Sequence, residues 1–162
     1  MLFRSIALNN TARDNLMAQF KSRQVTKVYL ALVNGKLEPE HGAIEAPIGR
    51  HPTNRTRMAI VAGGKPAYTE YRVIKYPGKY TLLEVMPRTG RTHQIRVHLA
   101  AIGHPIAGDH IYGSKSPYIK RQFLHAFKVG FNLPSSGDYR EFSCDLPDDL
   151  KRALVELIPD PA

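Results

Sequence analysis

Residues 88–113 read RTGRTHQIRVHLAAIGHPIAGDHIYG, a run with three arginines, four histidines and one acid, Asp109. Thr92 stands where a helix N-cap belongs and Gly103 where a glycine ends one, so the run predicts a helix reaching Ile102. At about 100° per residue, Ile95, Leu99 and Ile102 share one apolar arc, and Val97 and Ala100 a second, nearly opposite. Two such arcs make a largely buried helix. Arg96 projects between Leu99 and Ala100, at the lip, while His98 lies on the far side, placed for a structural hydrogen bond. A guanidinium there either runs its stem out to water or pairs with a carboxylate or phosphate, because burying it alone is costly. A carboxylate paired with it would be held ionised and oriented, as a catalytic nucleophile requires. Just before the helix, Arg88 and Arg91 surround a glycine-containing turn. Such a place suits phosphate, although basic turns are also often simply solvated.

Working outward, the neighbouring segments carry a period of two. VTKVYLALVNGK sets Val28, Leu30 and Leu32 against Lys27, Tyr29 and Ala31, and reads as a strand. HGAIEAPIGR, RTRMAIV, AYTEYRVIKY and KYTLLEVMP read as further strands, separated by Gly, Pro and Asn signals. Short strands are expected near HPIAG and in FLHAFKVGF, and SIAL reads as the end of a strand. Asn10 is placed to cap a helix through about Arg23, with Leu16, Met17 and Phe20 inward. LPDDLKRALVEL closes the chain as a helix with Pro147 and acids in its first turn and Leu150, Leu154 and Leu157 inward. The fold class is α+β, a mostly antiparallel mixed sheet with a few packed helices, in one domain over residues 1–162.

Twenty-three Lys and Arg against 14 Asp and Glu give a net charge of +9 over 162 residues. Such a field attracts polyanions, nucleic acid first among them. The single cysteine, Cys144, excludes an internal disulfide and a cysteine-based zinc cluster. The start, MLFRSIALNN, lacks the apolar core of a signal peptide, and no apolar run reaches a membrane-spanning length. The expectation is a soluble, cytoplasmic protein, with no membrane association.

Other chemistries find little support. His93 and His98 are five apart and do not share a helix face, unlike the pair of an HExxH site. His104, His110 and His125 meet no metal-ligand spacing with Asp109, so no metal is expected. There is no GxSxG elbow, and AGGKP lacks the first Gly and the Ser/Thr of a P-loop. Asp109 sits in a Gly-Asp turn signal, and turn geometry is its expected role. Tyr29, alternating with apolar neighbours, suits either half-buried core or stacking against a base.

At these residues the sequence resembles the RluA-type family of RNA pseudouridine synthases. GRTHQIRVHLAAIGHPIAGDHIYG is similar to that family's C-terminal signature along its whole length. QFKSRQVTKVYLALVNG, APIGR, GGKPAYTEYRV, LHAFKVGF and FSCDLPDDL agree in order, from about Ile6 to near the end. The resemblance implies a pseudouridine-synthase-like catalytic domain that isomerises uridine in structured RNA, ribosomal or transfer, without cofactor or metal and with no protein partner implied. It implies that an aspartate acts on a nucleotide flipped out of the RNA. Arg96 matches the arginine that pairs with that aspartate, and Tyr29 the tyrosine that packs against the target base. Arg88, Arg91, Thr92, His93 and Lys27 are the candidate RNA contacts.

The family's aspartate lies in a segment resembling HRLDxxTSG, and no such segment occurs in these 162 residues. Asp14, Asp109, Asp138, Asp145, Asp148, Asp149 and Asp160 lack the motif. The expectation is a catalytic domain truncated at its N-terminus, without the S4 domain of many relatives, inactive alone, and with an unpaired sheet edge or uncovered apolar patch. No acid of this chain is expected beside Arg96. A non-catalytic RNA-binding module is the alternative, and a metal-dependent nuclease would need the histidines and Asp109 to converge on one ion.

Overall fold

The computed structural model describes residues 6–113 and 115–157. In chain order the elements are α1 (Asn10–Lys21), β1 (Thr26–Asn34), β2 (His41–Glu45), β3 (Ile48–Arg50), β4 (Met58–Ile60), β5 (Tyr68–Lys75), β6 (Tyr80–Pro87), α2 (Gln94–Ala101), β7 (Leu124–Asn132), β8 (Tyr139–Ser143) and α3 (Asp148–Leu157). Six strands form one sheet in the order β2-β5-β6-β1-β7-β8, and β3 and β4 make a separate hairpin. The α+β class is as the sequence indicates. The sheet is simpler than expected, since every strand pair among the described residues is antiparallel.

β1 and β6 sit at the centre because their residues are apolar on both faces. Ala31, Leu32, Val33, Leu83 and Val85 are fully buried. Antiparallel sheets usually solvate one face; here α3 supplies Leu150, Ala153, Leu154 and Leu157 to the core, and α2 supplies Ile95 and Leu99. β7 carries one extra residue, Phe127, where its register against β1 shifts between Val28 and Tyr29. β1 itself keeps its alternation, so Lys27 and Tyr29 remain on one face.

Beyond β1 the chain returns through residues 105–109 rather than through a strand at HPIAG. Ile106 makes a single bridge to Val33, and Ala107 N–H donates to the Leu32 carbonyl at 2.8 Å. Gly108 has φ +72, and a Cβ there would collide with the Arg121 carbonyl. Only glycine fits both demands. The consequence is that Asp109 and Arg121 are delivered to one place.

Four local readings are corrected. Asn9, not Asn10, caps α1, accepting from Ala12 N–H at 2.8 Å. The inward residue of α1 is Gln19, which exchanges two hydrogen bonds with the Asn132 backbone at 2.8 and 2.9 Å; Met17 and Phe20 are exposed. A side-chain amide can replace a strand partner, which periodicity of apolar residues does not reveal. Of SIAL, Ser5 lies outside the described residues and Ile6–Leu8 are irregular. Thr92 does not cap α2; His93 is the N-cap, in the left-handed region at φ 56, and no side chain caps the helix. Gly103 ends α2 at φ +86 as expected, although Ile102 is partly exposed.

At one side of the sheet, all five residues of β8 are exposed. Phe131 and Phe142 stack there at 5.5 Å, beside a groove of ≈ 610 Å³ that Ile6, Leu8 and Leu16 also line.

Candidate active site

The loop of residues 88–93 is held by one side chain. Gln94 is buried, and its Nε2 donates to Tyr68 O at 3.0 Å and to Thr69 Oγ1 at 2.9 Å. Its Oε1 accepts from Thr89 Oγ1 at 2.7 Å and from Arg91 N–H at 3.0 Å. Thr89 Oγ1 in turn accepts from Tyr68 N–H at 3.0 Å. One amide thus spends its donor and acceptor groups fastening the loop to β5. His98 completes this wall. It is fully buried, with Nδ1 2.9 Å from Thr69 Oγ1 and Nε2 3.1 Å from Ala46 O. Its structural role is the one expected, and burial pushes its pKa down despite the Ala46 carbonyl.

Next to this wall lies a cleft of ≈ 470 Å³ lined by Lys27, Tyr29, Arg91, Thr92, His93 and Arg96, together with Arg121 and Leu124. Six of the seven residues singled out from the sequence therefore meet around one hollow. Arg88 is the exception. It lies outside the lining and pairs with Glu70 through Nε at 2.9 Å and Nη2 at 2.8 Å.

Arg96 overturns one expectation. The chain does place an acid beside it: Nε donates to Asp109 Oδ2 at 2.7 Å and Nη2 to Asp109 Oδ1 at 2.8 Å. The Asp109 side chain is 0% exposed and that of Arg96 11%. Asp109 also accepts from the N–H groups of Ile111 at 3.0 Å and Tyr112 at 3.2 Å, so its expected turn role is real but incomplete. Arg96 lines the open cleft, whereas Asp109, with its side chain fully buried, is not part of that lining. Thirteen residues separate the partners, and a helix pattern carries no information on what a later turn brings against it.

The electrostatics follow from this packing. Burial pushes the Asp109 carboxyl up, but the Arg96 guanidinium and the two backbone N–H groups outweigh it and hold the pKa below the ordinary value. Arg96 is raised in turn, chiefly by its hydrogen bonds to Asp109. Its guanidinium also lies 4.9 Å from the centre of the Tyr112 ring. Among the described residues its Nη1 makes no hydrogen bond, so one edge stays open to another acceptor. Lys27 is lowered by burial and by Arg23 and Arg88. Tyr29 is raised by burial, which keeps it a neutral phenol presenting a flat apolar face.

His93 and Tyr112 link the cleft to the β3–β4 hairpin. Tyr112 Oη accepts from Met58 N–H at 2.8 Å and lies 2.9 Å from His93 Nδ1. Since the phenol's two lone pairs and one proton can serve both neighbours, Tyr112 ties hairpin, helix and cleft together. Arg57 lies 5.5 Å from the centre of the same ring. Sequence reading passed over Tyr112 and gave Asp109 only its turn; the one signal available was their place in a continuous motif.

The family model for RNA pseudouridylate synthase matches residues 5–101. Over 154 residues the chain is 49% identical to an uncharacterized RNA pseudouridine synthase of Chloroflexus aurantiacus, covering 94% of this chain and 48% of that protein. Over 162 residues it is 48% identical to the ribosomal large subunit pseudouridine synthase D of Nitrosomonas europaea, covering 94% and 46%. Among solved structures, it is similar to human RNA pseudouridylate synthase domain containing 1, with a TM-score of 0.75, 35% identity, and coverage of 87% of this chain and 62% of that one. The chain spans about half the length of the curated relatives it matches.

Proposed function

The chain belongs to the RNA pseudouridylate synthase family, in its RluA-type branch, and from that premise we propose that its cleft serves the isomerisation of specific uridines of structured RNA to pseudouridine, in the cytoplasm, when an aspartate-bearing segment completes it. Ribosomal RNA is the favoured substrate, with transfer RNA second, because two relatives carry the name ribosomal large subunit pseudouridine synthase D. The observation that carries the reading is the convergence of Lys27, Tyr29, Arg91, Thr92, His93 and Arg96 on one cleft, beside a guanidinium clamped by Asp109.

Each residue has a physical task in this reading. Tyr29 gives the extruded uracil an apolar surface to pack against, replacing part of the stacking lost on leaving the RNA. Lys27 and Arg91 meet backbone phosphate, and Thr92 and His93 offer hydrogen-bonding groups at the rim. Arg88, outside the cleft, contributes to the field around it. Arg96 turns its open edge to the catalytic aspartate. Because Asp109 already offsets its charge, Arg96 orients that second carboxylate by hydrogen bonds and depresses its pKa less than a lone guanidinium would. A carboxylate so held stays reactive.

These 162 residues contain no HRLDxxTSG-like segment, and on the present reading they bind RNA without isomerising it. The test is tritium release from [5-³H]uridine-labelled ribosomal and transfer RNA. No release is expected from the chain alone. Release is expected once an aspartate-bearing segment of a relative is joined ahead of it, and loss of that release in Arg96→Ala. Absence of turnover in the joined protein, with RNA binding intact, would favour the non-catalytic binding module instead.

A further inference from the structure

The loop of residues 88–92 has a second side. There it borders another cleft, of ≈ 440 Å³, whose lining includes Arg50, Gly63, Gly64, Lys65, Arg91 and Thr92 and no Asp or Glu. Arg91 and Thr92 line both hollows. Among the described residues, Arg50, Lys65 and Arg91 form no salt bridge. Arg88 and Arg96, by contrast, are each matched by a carboxylate. Three cations around a hollow with no acid repel one another, and an anion from solution relieves that repulsion.

The hollow is held open by backbone. Ile48 and Lys65 exchange two hydrogen bonds, at 2.8 and 2.9 Å, which seat the 63–65 turn on β3. This approach needs a glycine at 64, where a Cβ would stand 2.7 Å from the Ile48 carbonyl carbon. Arg91 Nε donates to Pro66 O at 3.1 Å, tying the two walls together. At Gly63 and Gly90 a Cβ would meet nothing within 4 Å, so bare backbone faces open space on both walls. Bare backbone beside cations is suited to close approach by phosphate oxygens.

We propose that this second cleft is a phosphodiester subsite, holding the RNA backbone next to the extruded nucleotide while Arg91 divides the two hollows. The proposal rests on the reading of the chain as an RNA-modifying protein and adds where the strand runs. A ligand engaging both sides of Arg91 carries repeated negative charge along a chain, which a free phosphate does not.

The experiment uses the 162-residue chain and a fluorescein-labelled RNA hairpin with uridines in its loop, read by fluorescence anisotropy across a salt series. Arg50 and Lys65 are exposed, so Lys65→Ala and Arg50→Ala leave the fold intact. Each is expected to weaken binding about five- to ten-fold at low salt and to lower the salt slope by about one. In a set of hairpins with one methylphosphonate each, neutralising one particular linkage should weaken the unsubstituted protein yet cost Lys65→Ala nothing more. Inorganic phosphate should compete only feebly. Unchanged affinity and slope in both variants, or a methylphosphonate effect spread evenly over all linkages, would overturn the subsite. Failure of the unsubstituted chain to bind the hairpin at all would instead remove the RNA reading beneath it.

Discussion

Two arginine–aspartate clamps each contribute their arginine to the lining of the same cleft, and their geometry is nearly the same. Arg96 reaches Asp109 through Nε at 2.7 Å and Nη2 at 2.8 Å; Arg121 reaches Asp149 through the same atoms at 2.7 and 3.0 Å. Solvent separates them. The side chains of the first pair are 11% and 0% exposed, those of the second 36% and 48%. Bond lengths alone would rate the two as equals, yet water competes for every hydrogen bond of the outer pair and for few of the inner one. The difference teaches that a clamp shapes this cleft only where removing one partner leaves the other without water to replace it.

The largest effect should come from breaking the inner clamp. Asp109→Ala leaves a mostly buried guanidinium uncompensated and frees the Ile111 and Tyr112 N–H groups, and should cost about 3–5 kcal/mol in urea unfolding. A loss below about 1 kcal/mol would place the two clamps in one class.

Acid should separate them next. The carboxyls of both Asp109 and Asp149 are held below the ordinary value: Asp109 despite its burial, by Arg96 and two N–H groups, and Asp149 chiefly by its hydrogen bonds to Arg121. A depressed folded pKa gives stability that is present above the unfolded value of about 3.9 and is lost as pH falls through the folded one. Unfolding free energy measured from pH 6 down to pH 2 should therefore fall below about pH 4, and Asp109→Asn should flatten that fall more than Asp149→Asn. Equal flattening would mean that the Ile111 and Tyr112 N–H groups add nothing to what the arginine alone supplies.

Smallest of all should be the outer clamp itself. Asp149→Ala is expected to change stability by about 0–1 kcal/mol, and that difference should vanish in about 1 M salt, where the Debye length shrinks to roughly 3 Å. A salt-independent loss would show that Arg121 is less hydrated than its exposure indicates.

How much of this was legible beforehand depends on the range of the forces involved. Strands β1, β5 and β6 were readable because period-two patterns and Gly/Pro breaks are local, and α3 because Leu150, Leu154 and Leu157 recur at helical spacing. His98 was readable as structural from its place on the far side of α2. The inner face of α1 was not, since Gln19 is buried by amide bonds to Asn132, 113 residues away. Nor was the start of α2, where Gln94 rather than Thr92 satisfies the loop through contacts with β5.

By itself the sequence determined the α+β alternation, the net charge of +9 that calls for a polyanion, and a motif order specific enough to point to one family. Only the tertiary structure decided that Asp109, read as a turn residue, grips Arg96, that Arg88 turns away to Glu70, and that Arg91 separates two hollows. The physical reason is that helix and strand periods arise between neighbours along the chain. The partner of a buried charge is chosen by which distant segments the close-packed core brings together, and no local pattern encodes that choice.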